Sequence, residues 1–111
     1  RPVYFRPTFH KFGGQSIGGV ALHVTNRERF EPLRCGLHLL DCVRRCFGEG
    51  LKWREEVYEF VKDRLAIDLL FGSDEPRRVI DAGGDVDAIW KGWRAESEAF
   101  AAARAAFERY P

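Results

Sequence analysis

Residues 85–110 determine how the C-terminal part of the chain folds, and they read DVDAIWKGWRAESEAFAAARAAFERY. Apolar side chains recur at three- and four-residue intervals from Val86 through Ile89 and Trp93 to Tyr110, which is the spacing of one helix face. Asp85 follows a glycine pair and can cap the first turn. The stretch therefore predicts a helix of ~25 residues, or about 37 Å, with one end in contact with something outside the rest of the fold.

The two tryptophans of this helix, Trp90 and Trp93, are three residues apart. Such a pair could offer sugar rings an aromatic surface. Aromatic residues at helical spacing more often contribute to a core, so we expect these two in the core or in a domain interface.

Three further helices are predicted upstream. One is capped by Ser73 or Asp74 and terminated by Gly83, and a short apolar one runs from Leu65 to Phe71. A longer one begins near Pro32 and runs to about Phe47, before two glycines. Its apolar positions form a wide stripe, which indicates packing on more than one side.

In the N-terminal part of the chain, apolar and polar residues alternate as they do in β-strands. Val3 to Phe9 predicts a strand interrupted by Pro7, and Val20 to Thr25 predicts a second strand. Residues 10–19 between them contain four glycines and predict a flexible loop, and a short extended piece is expected near residues 58–60. The predicted fold class is α+β, a single domain spanning residues 1–111, with a small antiparallel sheet packed against three or four helices, the last of them long.

Composition narrows the class of protein. The 111 residues suit one domain, and 18 Lys and Arg against 17 Asp and Glu give a formal charge of +1. That balance predicts no nucleic-acid partner and no anionic membrane surface. No apolar run approaches the ~20 residues of a membrane span. Because Arg1 already lies in strand-like sequence, we expect the chain to be a piece of a longer or processed protein.

Three cysteines, Cys35, Cys42 and Cys46, lie on one predicted helix. A straight helix does not bring such pairs into disulfide geometry, so reduced thiols are expected. With His38 they suggest zinc, but four ligands from one helix cannot close a tetrahedron. The sequence therefore predicts no metal site and no cofactor, and the cysteines are expected to pack in the core as small apolar residues.

The glycine-containing loop holds the first candidate binding residues. His10, Lys11 and Gln15 lie beside flexible glycines, and His23 follows in the next strand. Polar loop residues on a rigid scaffold commonly bind ligands, so these four are candidates for a binding role. The alternative is that His10 and Lys11 are solvated and that His23 is a hydrogen-bonded strand residue. A phosphate loop is excluded because no Gly-Lys-Ser/Thr follows.

Carboxylates are frequent in the middle of the chain: Glu55, Glu56, Glu59, Asp63 and Asp68. Glycoside hydrolysis uses a pair of carboxyl groups as acid and base, but nothing in this spacing selects a pair. We therefore predict no catalytic residue in the chain. Asp68 lies between two apolar residues and should have a partner, either a helix N-terminus or Arg64.

Two runs of residues carry a resemblance to a known family. They are Phe5-Arg6-Pro7-Thr8-Phe9-His10-Lys11 and Gly18-Gly19-Val20-Ala21-Leu22-His23-Val24-Thr25, and further matches are Arg34-Cys35-Gly36-Leu37, Tyr58-Glu59-Phe60, Ile67 to Ser73 and the helix around Trp93. The chain resembles the C-terminal domain of the bacterial exo-β-N-acetylmuramidases, a glycoside hydrolase family first described as a domain of unknown function. It departs from the family pattern at Ile17, where a cysteine is expected.

The resemblance implies a larger Rossmann-like N-terminal domain in the same protein, with an active site in the cleft between the two. The implied reaction releases N-acetylmuramic acid from peptidoglycan fragments during cell-wall recycling, in the periplasm or outside the cell. The catalytic acid is expected on the N-terminal domain, so this chain alone is expected to be inactive. His10, Lys11, Gln15 and His23 are then expected to contact muramyl sugars. The alternative is a non-catalytic glycan- or protein-binding module.

Overall fold

The computed structural model describes residues 1–109 and has the predicted α+β composition. The chain divides into two compact units, one spanning Arg1–Phe30 and one that begins at Glu31. The first unit contains strands β1 (Pro2–Phe5) and β2 (Ile17–Val20). The second contains helices α1 (Pro32–Phe47), α2 (Ala66–Phe71), α3 (Glu75–Asp81) and α4 (Val86–Arg104), with 3-10 turns at Gly48–Gly50 and Ala105–Phe107.

The two strands pair antiparallel as predicted, but both boundaries were wrong. β1 ends at Phe5, two residues before Pro7, which has no amide hydrogen for a sheet. β2 was expected at Val20 to Thr25 and instead occupies Ile17–Val20, so that Gly19 pairs with Val3. The ring of Phe5 lies directly over the Cα of Gly19 and leaves no room for a side chain there. Gly18 and Gly19 therefore belong to the sheet rather than to the loop.

The four helices lie where the sequence predicts them, and glycines mark three of their ends. Gly48, Gly72 and Gly83 have positive φ angles of 51°, 78° and 67°, a backbone conformation that glycine adopts without strain. Asp85 caps α4 by accepting a hydrogen bond from the amide of Asp87 at 2.9 Å. α4 is shorter than predicted, because it ends at Arg104 and continues as the 3-10 turn at Ala105–Phe107. Tyr110, the predicted last apolar residue of the helix, lies outside the described residues. No helix within residues 1–109 is long and apolar enough to span a membrane.

The core of the helical unit is small. Leu37 of α1 and Ile80 of α3 are fully excluded from solvent, and Val86 and Ile89 of α4 are nearly so. Partly buried aromatic and aliphatic residues surround this cluster, including Trp90 and Trp93, as predicted: Leu40, Trp53, Phe71, Val79, Trp90 and Trp93. Three helices therefore share one cluster of apolar contacts.

The cysteines of α1 do not pack in the core, which corrects the prediction. Cys42 and Cys46 are exposed and Cys35 is half-buried, and all three thiols are free. The buried face of α1 is instead formed by Leu37, Leu40 and Asp41. The apolar stripe of α1 is wider than the surface that packs against it, so the part that contains Cys42 and Cys46 is exposed.

Polar contacts join α1 to α4 beside the core. Asp87 accepts a hydrogen bond from Arg34 Nε at 3.0 Å, and His38 Nε2 lies 3.2 Å from the same carboxylate oxygen. The hydrogen bond with His38 lowers the pKa of Asp87 from its ordinary value, and Arg34 lowers it further, although desolvation opposes both. The ionised carboxylate thus stabilises the contact between the two helices.

Replacing Leu37 with alanine should destabilise the helical unit. Leu37 is fully buried at the junction of α1 and the core, and such truncations cost ~2–5 kcal/mol of unfolding free energy. Leu39→Ala on the same helix is the control, because Leu39 is 40% exposed. Urea denaturation should give a much larger loss for Leu37→Ala, and equal losses would contradict the assigned core.

The unfolding free energy should fall at acidic pH partly because of Asp87. Its pKa lies below the ordinary value of 3.8 in the folded protein, so the unfolded state binds the proton first. The stabilisation is complete above that ordinary value and is lost as the pH falls through the lower folded-state pKa. Asp87→Asn should flatten the decline in stability below about pH 4 in urea titrations. Glu96→Gln, an exposed change on the same helix, should leave the decline unchanged, and an unchanged decline in Asp87→Asn would refute the assignment.

Candidate functional site

A polar cleft lies between the segment that precedes α2 and the helix α3. Its volume is about 630 Å³, within the range of small-molecule sites. Charged side chains dominate its lining: Glu55, Lys62, Asp63, Arg64, Asp68, Asp74 and Arg77. All of these belong to the helical unit. The cleft thus concentrates groups that can donate or accept hydrogen bonds.

Arg77 and Asp68 form the floor of this cleft. Arg77 Nε donates to Asp68 Oδ1 at 2.7 Å and its second nitrogen donates to Oδ2 at 2.8 Å, a bidentate pair. The expected partner of Asp68 was Arg64 or a helix N-terminus, and the structure corrects this to Arg77. The reason is the turn at Gly72, which folds α3 back along α2 and brings Arg77 to the carboxylate. The hydrogen bonds to Asp68 raise the pKa of Arg77 above its ordinary value.

Four charged residues of the lining remain without an ion-pair partner among residues 1–109. They are the cations Lys62 and Arg64 and the carboxylates Glu55 and Asp63. Asp74 differs from them because it accepts from Arg78 at 3.4 Å. Unpaired charges beside a formed cleft are available to a ligand, in contrast to the neutralised pair on the floor.

A strained turn leads directly into the cleft residues. Tyr58 accepts a hydrogen bond from the amide of Val61 at 3.0 Å, and the two central residues, Glu59 and Phe60, have φ angles of 48° and 66°. Positive φ at both central positions defines a type I′ turn, which strongly prefers asparagine and glycine. The left-handed conformation costs other residues ~1–2 kcal/mol each. In this turn the side chain of Phe60 is 96% exposed to solvent, so its packing does not offset the cost of the strained backbone.

The predicted binding residues His10, Lys11 and Gln15 lie in the loop between β1 and β2, and all three are exposed. The loop is ordered by its own hydrogen bonds: Arg6 donates to the carbonyl of Gly14 at 3.0 Å, and the amide of Gly14 donates to Pro7 at 2.8 Å. His10 has a φ of 58°, a conformation that histidine tolerates better than most residues. The structure thus brings these three residues together in one compact loop.

His23 is exposed and lies beyond the other end of the two-stranded ribbon. The amide of Ala21 donates to the carbonyl of Arg1 at 2.9 Å, so the chain leaves β2 next to the N-terminus of β1. The loop, in contrast, joins the C-terminal end of β1 to β2. The sheet therefore does not place His23 next to the three loop residues.

An apolar groove lies on a different part of the helical unit. It has a volume of about 770 Å³ and is lined by Leu33, Leu70, Phe71, Trp90, Trp93 and Phe100 among others. The rings of Phe71 and Trp93 are in contact, with centroids 5.7 Å apart, while Phe100 is 66% exposed. The tryptophans pack against the core, and the exposed residues around them form an apolar surface.

Metal ligands and a catalytic acid pair do not emerge from the described part of the chain. Within residues 1–109, no three His, Cys, Asp or Glu side chains come together as a metal site. The buried carboxylates, Asp41 and Asp68, each form an ion pair with an arginine. Asp41 also has one buried oxygen without a hydrogen-bond partner within those residues, but it does not line the polar cleft.

Removing Arg77 should destabilise the fold because it leaves Asp68 buried without its partner. The side chain of Asp68 is only 9% exposed, and breaking such a pair costs ~3 kcal/mol of unfolding free energy. Arg78→Gln is the matched control, since its pair with Asp74 is exposed and worth at most ~1 kcal/mol. Chemical denaturation of Arg77→Gln and Arg78→Gln tests this, and similar losses would contradict it.

Comparison with known proteins agrees with the resemblance seen in the sequence. The model of the family described as exo-beta-N-acetylmuramidase NamZ, C-terminal, matches residues 1–110. The peptidoglycan beta-N-acetylmuramidase NamZ of Bacillus subtilis (strain 168) is 29% identical over 104 residues, which is 94% of this chain. The chain spans 23% of the length of that relative. No solved structure gives a significant match.

The family match extends over both compact units, from the β1–β2 ribbon through α4. The ordered loop, the polar cleft and the apolar groove therefore all lie within the matched region. The chain belongs to the family of C-terminal domains of NamZ exo-β-N-acetylmuramidases.

Proposed function

We propose that this chain is the lobe of a peptidoglycan β-N-acetylmuramidase that shapes the substrate cleft together with an N-terminal domain. The observation that carries the proposal is the family match over residues 1–110. The B. subtilis relative is more than four times as long as the matched stretch, which leaves room for a catalytic domain. In this assignment the chain binds and orients a sugar, and the N-terminal domain supplies the catalytic acid.

The chemistry of the described carboxylates supports a non-catalytic role. A glycosidase needs one carboxyl group that keeps its proton and a second that is ionised, with room between them for the sugar. The cleft's one buried carboxylate, Asp68, is instead paired with Arg77 in a bidentate geometry suited to a permanent ion pair. Glu55 and Asp63, which have no ion-pair partner among residues 1–109, are both exposed and are not held against another carboxyl group by any hydrogen bond within those residues.

The exposed apolar surface supports a partner domain. Leu33, Leu70 and Phe100 are between 57% and 67% exposed around the groove beside Trp93. Contiguous apolar surface of this kind is typical of sites that another domain covers. We assign the N-terminal domain of the same protein as the partner that contacts α4, the helix of Trp90 and Trp93, and the glycine-containing loop between β1 and β2.

The loop residues His10, Lys11 and Gln15, with His23, are assigned to the substrate-binding side of the lobe. All four side chains are exposed, and the ordered backbone of the loop supports this role for His10, Lys11 and Gln15, because a ligand then meets side chains that are already positioned. His23, beyond the other end of the ribbon, is supported by its exposure alone. The rival assignment is a glycan- or protein-binding module without any part in catalysis. Tight binding of muramyl sugars by the chain alone, together with a parent protein that cleaves no glycan, would favour that rival.

The proposal is tested by the release of a chromogenic aglycone from a β-N-acetylmuramide. The full-length parent protein should cleave this substrate, whereas the 111-residue chain should not. The corresponding β-N-acetylglucosaminide, which lacks the lactyl group, is the control substrate. A parent without activity would overturn the proposed function, and activity of the chain alone would move the catalytic residues into it, with Glu55, Glu56, Glu59 and Asp68 the first to replace.

A further inference from the structure

The polar cleft and the turn beside it share features that the fold itself does not require. Lys62 and Arg64 line the cleft without an ion-pair partner among the described residues 1–109. Lys62 directly follows Val61, the last residue of the strained turn. Phe60 is not part of the lining, but its turn is joined directly to Lys62, so two lining cations and an exposed aromatic ring lie close together in sequence.

The conformation of the turn supports a binding role. Glu59 and Phe60 adopt positive φ angles although neither residue favours them. Strained backbone of this kind persists where it positions a functional group. Here the positioned group is the ring of Phe60, which contributes nothing to the core because it is 96% exposed.

The chemistry of these groups defines the ligand. Lysine and arginine attract a carboxylate, and an aromatic face attracts the polarised C–H groups of a sugar ring. Glu55 and Asp63, also in the lining, can accept hydrogen bonds from hydroxyl and amide groups. A volume of about 630 Å³ accommodates one such sugar.

We propose that this cleft is a subsite for a carboxylate-bearing sugar, in which Lys62 and Arg64 bind the carboxylate and Phe60 covers the ring. The inference rests on the proposed function for the identity of the sugar, since N-acetylmuramic acid carries a lactyl carboxylate that N-acetylglucosamine lacks. The Arg77–Asp68 pair supports the floor and remains intact when the ligand binds. The cleft then selects the acidic sugar by charge.

The test is calorimetric titration of the full-length parent with N-acetylmuramic acid and with its methyl ester. Ion-paired hydrogen bonds predict that the free acid binds about 10-fold or more tightly than the ester. Lys62→Gln combined with Arg64→Gln should abolish this preference and leave the affinity for the ester unchanged. Lys91→Gln, a change of an exposed lysine on α4, is the control and should keep the preference.

The ring is tested separately with Phe60→Asn. Asparagine tolerates a positive φ, so the variant keeps the turn while losing the aromatic face. It should weaken the binding of acid and ester alike, by about 5-fold or more, whereas Phe107→Asn at an 83% exposed position should not.

Retention of the preference for the acid in the Lys62 and Arg64 variant would overturn the subsite. Equal binding of the acid and the ester by the unaltered parent would overturn it as well. Cleavage of the β-N-acetylmuramide is measured on the same samples and reports on the proposed function independently. An active parent whose preference is insensitive to the two cations would refute the subsite and leave the proposed function standing.

Discussion

Leu37 on α1 and Ile80 on α3 are the two side chains of the apolar cluster that no solvent reaches, and α4 closes the cluster with Val86 and Ile89. The partly buried aromatic and aliphatic residues Leu40, Trp53, Phe71, Val79, Trp90 and Trp93 pack against this cluster. A cluster this small stabilises only a marginal core, so polar contacts at its edges matter more than in a large domain. The bidentate Arg77–Asp68 pair fixes α3 to α2, and the shared contacts of Asp87 fix α4 to α1. Loss of the cluster would therefore release the cleft as well as the fold.

Helices were predictable from the sequence because their signals are local. Gly48, Gly72 and Gly83 stand at helix ends, Pro32 begins α1, and periodic apolar residues mark the faces between them. The strand β2 was misplaced because its pairing depends on a distant contact. The ring of Phe5 covers Gly19, and nothing near Gly19 in sequence announces this neighbour. The same limit explains the cysteines of α1, since the width of an apolar stripe does not reveal which half of it is covered.

The candidate site was predictable only in part. Glycines and polar residues identified the loop of His10, Lys11 and Gln15, but the polar cleft depends on how α3 folds back at Gly72. Arg77 lies nine residues after Asp68, and the turn at Gly72 brings the two side chains together. Without knowledge of that turn, the sequence does not identify Arg77 as the partner of Asp68. The type I′ turn at Glu59 and Phe60 was hidden because its residues contradict the usual preference for such a turn. Residues that break a local rule are candidates for function, which is why Phe60 is part of the proposed subsite.

The central claim is that this lobe contributes side chains to a muramidase substrate site that another domain completes. A crystal structure of the full-length parent with N-acetylmuramic acid bound tests it most directly. We expect the sugar to lie between the two domains, with its carboxylate within hydrogen-bond distance of Lys62 or Arg64. A sugar held entirely by the N-terminal domain, with no side chain of residues 1–109 within contact distance, would contradict it.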